Sequence, residues 1–421
     1  MIVDKSFQEI IELGKSSFAN VQTKNIYGIH ILSNITCNQL STLIVAEFRL
    51  IGINVDVSIG SYDNIVQDSF KNLEYDLVIV HYDLYAQLDK GDVLKELLSK
   101  DQSQFFTDEV KEDIDTIVRN LSNASKILFN SFLPLNDIRV VCSSSIPQDL
   151  IAKELNNHLQ TYEDPGKLDI VDMSKILSTL GLDRSIDLRM FSISKSLYTV
   201  PFWSVYVELI SNLGLESLGL LKKAIIFDCD NTLWKGIIGE DGESGISMSS
   251  DSKGGNNFAM AQKIAVWLSN NGVLVGLCSK NNEDDVINVL QSHKDSILKM
   301  DNIVSHRINW NNKASNLSAI ATELNIGLDS IVFVDDSSFE INLIKEQLPE
   351  VLTYQVPING LNYPKELLQI VSRNFKQRPS LGDLERTKQY RTQSLRKSSQ
   401  ESFSSLDDYL KSINIKVTFK I

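Results

Sequence analysis

Two aspartates, Asp228 and Asp230, stand one residue apart at the end of the apolar run Ala224-Ile225-Ile226-Phe227. A short run of this kind reads as a buried strand, and acids at a strand's carboxyl end lie where the ligands of open parallel sheets bind. Carboxylates this close repel each other unless a proton or a cation lies between them. Oxygen donors suit a hard divalent ion such as Mg²⁺, which keeps several waters and is commonly completed by a substrate phosphate. The stretch Ser330-Ile331-Val332-Phe333-Val334-Asp335-Asp336-Ser337 repeats the design, an apolar run closed by paired acids. Asp also gathers in ordinary strand-to-loop turns, so each pair taken alone has a purely structural explanation.

Two further polar residues occupy related positions. Ser279 follows the apolar run Val273 to Cys278, where a hydroxyl can donate to a phosphoryl oxygen, although serine is common at such turns. Lys313 opens a helix bearing Leu317, Ile320, Ala321 and Leu324. A cation gains nothing from the helix dipole at that end. Offsetting the repulsion between an anionic nucleophile and an anionic substrate gives it a reason to be there.

The elements that must position these groups follow from periodicity and punctuation. Gly236, Gly239, Gly242 and Gly245, spread through Trp234 to Met248, predict a β-hairpin flap that could cover a substrate. Asn256 to Asn270 predicts a helix stopped by Asn271-Gly272, Asn282 to Asp285 a capped helix start, and Ile303-Val304 a third short strand. One helix and one strand fill the chain between Ser279 and Lys313, leaving no room there for a large cap domain. Such an open site suits a phosphate carried on a large or tethered substrate.

Upstream, strands are expected at Ile26–Ser33, Ile53–Ile59, Tyr75–His81, Lys126–Asn130 and Asp137–Cys142, with a helix at Asn38–Leu50. Strand-helix alternation predicts a parallel sheet covered on both faces. Ser33-Asn34, Tyr82-Asp83 and Ser143-Ser144-Ser145 end strands there, but no base and orienting acid accompany the serines. His30 and His81, on apolar strands, read as satisfied core imidazoles. The expected fold class is α/β, with two Rossmann-like doubly wound domains and a small C-terminal α/β tail. The expected division is an N-terminal helix at 1–25, domains at 26–219 and 220–362, and a basic helical tail with a last strand at 363–421.

Composition narrows the classes. A chain of 421 residues predicts more than one core, and a net charge of −13 disfavours a large nucleic-acid footprint. No apolar run reaches the roughly 18 residues of a membrane helix, and residues 1–25 carry acids where a signal peptide has a basic start. Cys37, Cys142, Cys229 and Cys278 form no C-x-x-C pair, which argues against a zinc site or a disulfide framework. A cytoplasmic location is the default expectation. Cys229 and Cys278, beside apolar strands, read as buried and inert rather than as thioester-forming. The segment Lys376 to Gln400 has seven basic and two acidic residues, which reads first as a solvated helical face, although the contrast could attract a phosphorylated ligand or an acidic carrier protein.

The order Asp-x-Asp-x-Thr, Ser, Lys, Asp-Asp resembles the four motifs of the haloacid dehalogenase (HAD) phosphotransferase superfamily. Asp228-Cys-Asp-Asn-Thr-Leu-Trp234, Gly236-Ile-Ile-Gly-Glu-Asp-Gly242, Cys278-Ser-Lys-Asn281, Trp310 with Lys313, and Phe333-Val-Asp-Asp-Ser337 with Glu340 are similar to its FkbH-like branch. That branch pairs the phosphatase-like domain with an SGNH/flavodoxin-like domain, here without the SGNH Gly-Asp-Ser. The resemblance implies Asp228 as nucleophile, Asp230 as general acid and base, Thr232 as a positioning hydroxyl, and Ser279 and Lys313 as phosphoryl binders beside Lys280 and Asn281. It implies Mg²⁺ held by Asp228, Asp336 and the Asp230 main chain, with Asp335 alongside. It also implies a glyceryltransferase/phosphatase role, moving a glyceryl unit from 1,3-bisphosphoglycerate to an acyl carrier protein of the kind used in polyketide biosynthesis. The alternatives are a phosphatase of a phosphorylated sugar or cell-surface precursor without a carrier, and a docking module with a vestigial site.

Overall fold

The computed structural model describes residues 8–10, 12, 26–71, 73–89, 100–135, 147–164, 166–252, 254–358, 360–376, 382, 384–385 and 389–390. The strand expected at Asp137–Cys142, the serines after it and the expected last strand lie outside the described residues; of the N-terminal helix, Gln8–Ile10 and Glu12 are described and helical. The chain forms two compact units, Met1–Gly214 and Leu215–Ile421.

The first unit contains β1 (Tyr27–Ser33), α1 (Asn38–Leu50), β2 (Val55–Ile59), β3 (Leu77–His81), α2 (Lys100–Asn120), β4 (Lys126–Asn130), α3 (Pro147–Gln160), β5 (Leu168–Val171) and most of α4 (Val200–Ser217), whose last residues, from Leu215, belong to the second unit. Its strands pair in parallel in the order β2-β1-β3-β4-β5, the flavodoxin-like doubly wound order. Helices on both faces explain why β3, Leu-Val-Ile-Val-His, is apolar without alternation and wholly buried. α1 buries Leu40, Leu43, Ile44 and Phe48, and the Phe48 ring packs so closely on α4 that a Cβ at Gly214 would lie 2.5 Å from it.

The second unit contains β6 (Ala224–Phe227), α5 (Ile238–Gly245), α6 (Gly255–Asn270), β7 (Leu274–Ser279), α7 (Glu283–Ser292), β8 (Ser305–Ile308), α8 (Lys313–Glu323), β9 (Ile331–Asp335), α9 (Ser338–Gln347), β10 (Leu352–Gln355) and α10 (Tyr363–Asn374). The sheet is again parallel, in the order β10-β9-β6-β7-β8, which puts β6 at its centre. Side chains alternate between faces along each strand. Ile225, Phe227, Val275, Leu277, Val332 and Val334 join one core with residues of α6 and α10, while Ala224, Ile226, Leu274 and Phe333 join another with α8 and α9. Tyr363, Leu367 and Val371 of α10 thus share a core with β6, although sequence alone places them in a separate tail.

Two elements differ from expectation. Trp234 to Met248 is not a hairpin: one antiparallel bridge, Lys235 with Ser247, brackets the helix α5, which is kinked at Gly242 (φ 65°). Glu240 and Asp241 lie in its first turn, where acids suit the helix dipole, and Asp241 accepts from Ile237 N at 2.8 Å. The third strand starts at Ser305, directly after Val304 and two residues past the expected start at Ile303. Gly276 permits that register, since a Cβ there would come within 2.8 Å of the Ser305 carbonyl oxygen. Among the described residues no helix is long and apolar enough to cross a membrane.

Candidate active site

The carboxyl ends of β6, β7 and β9 bring the sequence-marked residues together. Asp228 N donates to Val334 O at 2.8 Å, so the chain past β6 stays in register with the end of β9. One carboxylate oxygen each from Asp228, Asp335 and Asp336 lies within 4.8 Å of the others. Lys313, at the start of α8, is buried and sends its Nζ to Asp335 Oδ2 at 2.6 Å and Asp228 Oδ1 at 3.1 Å. Apart from that ammonium, Asp228 Oδ1 is buried without a hydrogen-bond partner among the described residues. Burial, and then the charge of Asp228, push both Asp335 and Asp336 above the usual carboxylate range. Burial works against the charge of Lys313, but Asp228 and Asp335 outweigh it and hold the ammonium above its ordinary value.

Asp230 belongs to a second network. Its Oδ1 accepts from Trp234 Nε1 at 2.8 Å and Ile238 N at 3.1 Å, and its Oδ2 accepts from Asn281 Nδ2 at 3.0 Å. The tight turn between these donors uses Asn231 at φ 49°. Asn281 Nδ2 also donates to the buried Ser279 Oγ at 3.0 Å, linking the β7 hydroxyl to the second aspartate of β6. Asn282 caps α7 through Asp284 N, as expected. Thr232 is buried, with no hydrogen-bond partner on its hydroxyl among the described residues, while its carbonyl accepts from Tyr363 Oη at 3.1 Å. Lys280 is turned to Glu340, its Nζ 2.7 Å from Oε1. Burial pushes the Cys278 thiol up to about 12 and raises Cys229 well above its usual range, so neither is a poised thiolate.

Asp228, Lys313, Asp335 and Asp336 therefore form one cluster, and Asp230, Ser279 and Asn281 an adjoining one. The donors that hold Asp230, the Trp234 indole and the first amide of α5, are not apparent from the sequence, whose glycines point to a hairpin instead. The signal available was an indole four residues after an acid across an Asn-containing turn. Three carboxylates without sulfur or imidazole, one of them with a buried oxygen that meets the Lys313 ammonium alone among the described residues, are a donor set for a hard divalent cation rather than for zinc.

No family model matches the chain, and no curated protein does. Among solved structures it is similar to the N-terminal part of the protein BF1531 from Bacteroides fragilis, which contains a phosphatase domain and is complexed with Mg. The TM-score is 0.76 at 22% sequence identity, over 90% of this chain and 100% of that one. At that identity the likeness is one of fold: an α/β protein with two Rossmann-like domains.

Proposed function

We propose that residues 215–421 form a Mg²⁺-dependent phosphatase or phosphotransferase of the HAD type, working through Asp228. The observation that carries this reading is the Lys313 ammonium, buried between Asp228 and Asp335 at 3.1 and 2.6 Å within a cluster of three carboxylates. The phosphatase domain and Mg of the Bacteroides fragilis protein support it. Asp228, Asp336 and Asp335 are the side chains that would hold the ion, with the Asp230 main chain beside them. Bound there, Mg²⁺ supplies charge neutralisation for the carboxylates and polarises the phosphoryl oxygens.

The residues divide the chemistry. An Asp228 oxygen bonds to phosphorus as the bond from phosphorus to the leaving oxygen breaks, and Asp230 gives that oxygen its proton. Asp230 then takes a proton from the water that attacks the aspartyl phosphate, so inorganic phosphate leaves and Asp228 is restored. Among the described residues Asp230 Oδ2 accepts from Asn281 alone, which leaves a lone pair for that proton. Lys313 offsets charge as nucleophile and phosphate approach, and Ser279, steadied by Asn281, donates to a phosphoryl oxygen. The short helix α5 in place of a cap domain favours a phosphate presented on a large or tethered substrate, in line with FkbH-like loading of a glyceryl unit onto an acyl carrier protein. Phosphate release from a small phosphoester with Mg²⁺, abolished in Asp228→Asn, tests the chemistry. Incubation with 1,3-bisphosphoglycerate and a carrier protein, read by intact mass, tests the finer role: a glyceryl adduct supports it, and phosphate release without an adduct favours a carrier-free phosphatase.

A further inference from the structure

A cavity of about 390 Å³ opens at the amino-terminal ends of β6 and β7, the opposite edge of the sheet from Asp228. Its volume falls within the roughly 300–1,000 Å³ of small-molecule sites. Lys222, Lys223 and Lys376 line it with one acid, Glu216, a local excess of positive charge in a chain of net charge −13. Lys376 pairs with Glu216 at 3.4 Å. Lys222 is half-buried with its Nζ on the Asp329 carbonyl, and burial pushes its ammonium below the usual lysine range. Lys223 is exposed.

These lysines have a structural explanation to answer, because α6, α8 and α10 all end at this edge and helix carboxyl ends favour cations. Neutral donors already serve those ends. Lys222 N donates to Asn374 O at 2.8 Å, Tyr390 Oη to Leu324 O at 2.8 Å, and Asn271 N to the carbonyls of Trp267 and Leu268. With Lys222 on the Asp329 carbonyl and Lys376 on Glu216, the exposed Lys223 ammonium exceeds what capping requires. Val273, Ile326 and the Tyr390 ring give the same cavity an apolar wall.

We propose that this cavity is a second binding site, for a small amphipathic anion whose phosphate or carboxylate meets Lys222 and Lys223 while its apolar body lies on Val273, Ile326 and Tyr390. The four residues of β6 lie between Lys223 and Asp228, five steps or roughly 16 Å at strand rise, so a ligand of this size does not reach the carboxylate cluster.

Phenylphosphonate, an anion that cannot be hydrolysed as a phosphoester, is the probe, with inorganic phosphate as its counterpart lacking the apolar body. Both are titrated calorimetrically into the full chain in chelator-containing buffer. The expected result is saturable phenylphosphonate binding, weakened about tenfold by Lys223→Glu, unchanged in Asp228→Asn, and tighter than phosphate. Lys223 is exposed, so the substitution leaves the core intact, and Lys222→Gln is a second arm with an unfolding midpoint measured alongside. Absence of saturable binding, binding indifferent to Lys223→Glu, or binding lost in Asp228→Asn would each overturn the site. Equal affinity for phosphate would overturn its amphipathic character.

Discussion

At the carboxyl end of β3 the chain reads His81-Tyr82-Asp83, and at the carboxyl end of β6 it reads Asp228-Cys229-Asp230, but the two ends have opposite company. Asp83 is met by neutral donors: Tyr198 Oη lies 2.7 Å from its Oδ2 and Ala86 N 3.0 Å from its Oδ1. Its peptide is clasped by Asn34, which accepts from Asp83 N at 2.7 Å and donates to Asp83 O at 2.8 Å. Asp228 instead faces two carboxylates and one ammonium. An acid beyond a parallel strand is thus not reactive by position alone. Neutral donors make Asp83 a structural pin, whereas unresolved like charge around Asp228 leaves work for a cation and a phosphate to do.

The sharpest way to break this contrast is to neutralise each acid. Asp228→Asn should lower Mg²⁺-dependent phosphate release by about a thousandfold or more, whereas Asp83→Asn, measured on folded protein, should leave it unchanged. Comparable losses in both would erase the distinction. Next in size is Lys313→Met, which strands Asp228 and Asp335 as buried like charges. It should cost about 3 kcal/mol in urea unfolding without metal. Adding Asp335→Asn should recover part of that loss; a double variant as unstable as the sum of its parts would mean the ion pair is not the coupling.

Protons should sharpen the contrast, because the two units respond with opposite signs. Burial lowers His81 from 6.5 to about 3, and among the described residues neither ring nitrogen has a hydrogen-bond partner. Between those values the unfolded chain binds more protons, so the stability of the first unit rises with pH. Acidifying from pH 6.5 to about 5 should cost about 1.5 kcal/mol, and His81→Leu should remove the dependence. Burial raises Asp335 from its ordinary 3.8 to about 7, so between those values the unfolded chain binds fewer protons and metal-free stability of the second unit falls as pH rises. Asp335→Asn should flatten that slope. Slopes of the same sign in urea titrations of the wild type and the two variants would contradict this assignment.

Local pattern made much of this legible. Lys126–Asn130 and Asn38–Leu50 have the bounds their sequences predict, and the strand-end positions of Asp228, Ser279 and Asp335 follow from apolar runs closed by polar residues. Non-local partners did not show. His81 reads as a satisfied core imidazole because the sequence cannot reveal that its neighbours are the rings of Tyr198, Trp203 and Tyr206, which leave its nitrogens bare. The glycines of 236–245 suggest a hairpin because the competing term, a helix start held by Asp230 and Asp241, depends on a turn that exists only once β6 is in place.

The smallest expected effect bears on what keeps the first unit's acid silent. Tyr198→Phe removes the donor to Asp83 Oδ2 without changing the size of the ring, which stacks on Phe202 at 4.1 Å between centroids. Near neutral pH this should cost about 1 kcal/mol, the usual scale for a buried acceptor losing its donor. Burial already raises Asp83, and the tyrosine opposes that rise. Without the hydroxyl the carboxyl should take up its proton more readily. The difference between variant and wild type should then shrink as pH falls toward the carboxylate range, since a protonated Asp83 has less need of a donor. A penalty independent of pH would mean that packing, not the hydrogen bond, is what Tyr198 contributes, and the account of Asp83 as an acid quieted by neutral donors would have to be replaced.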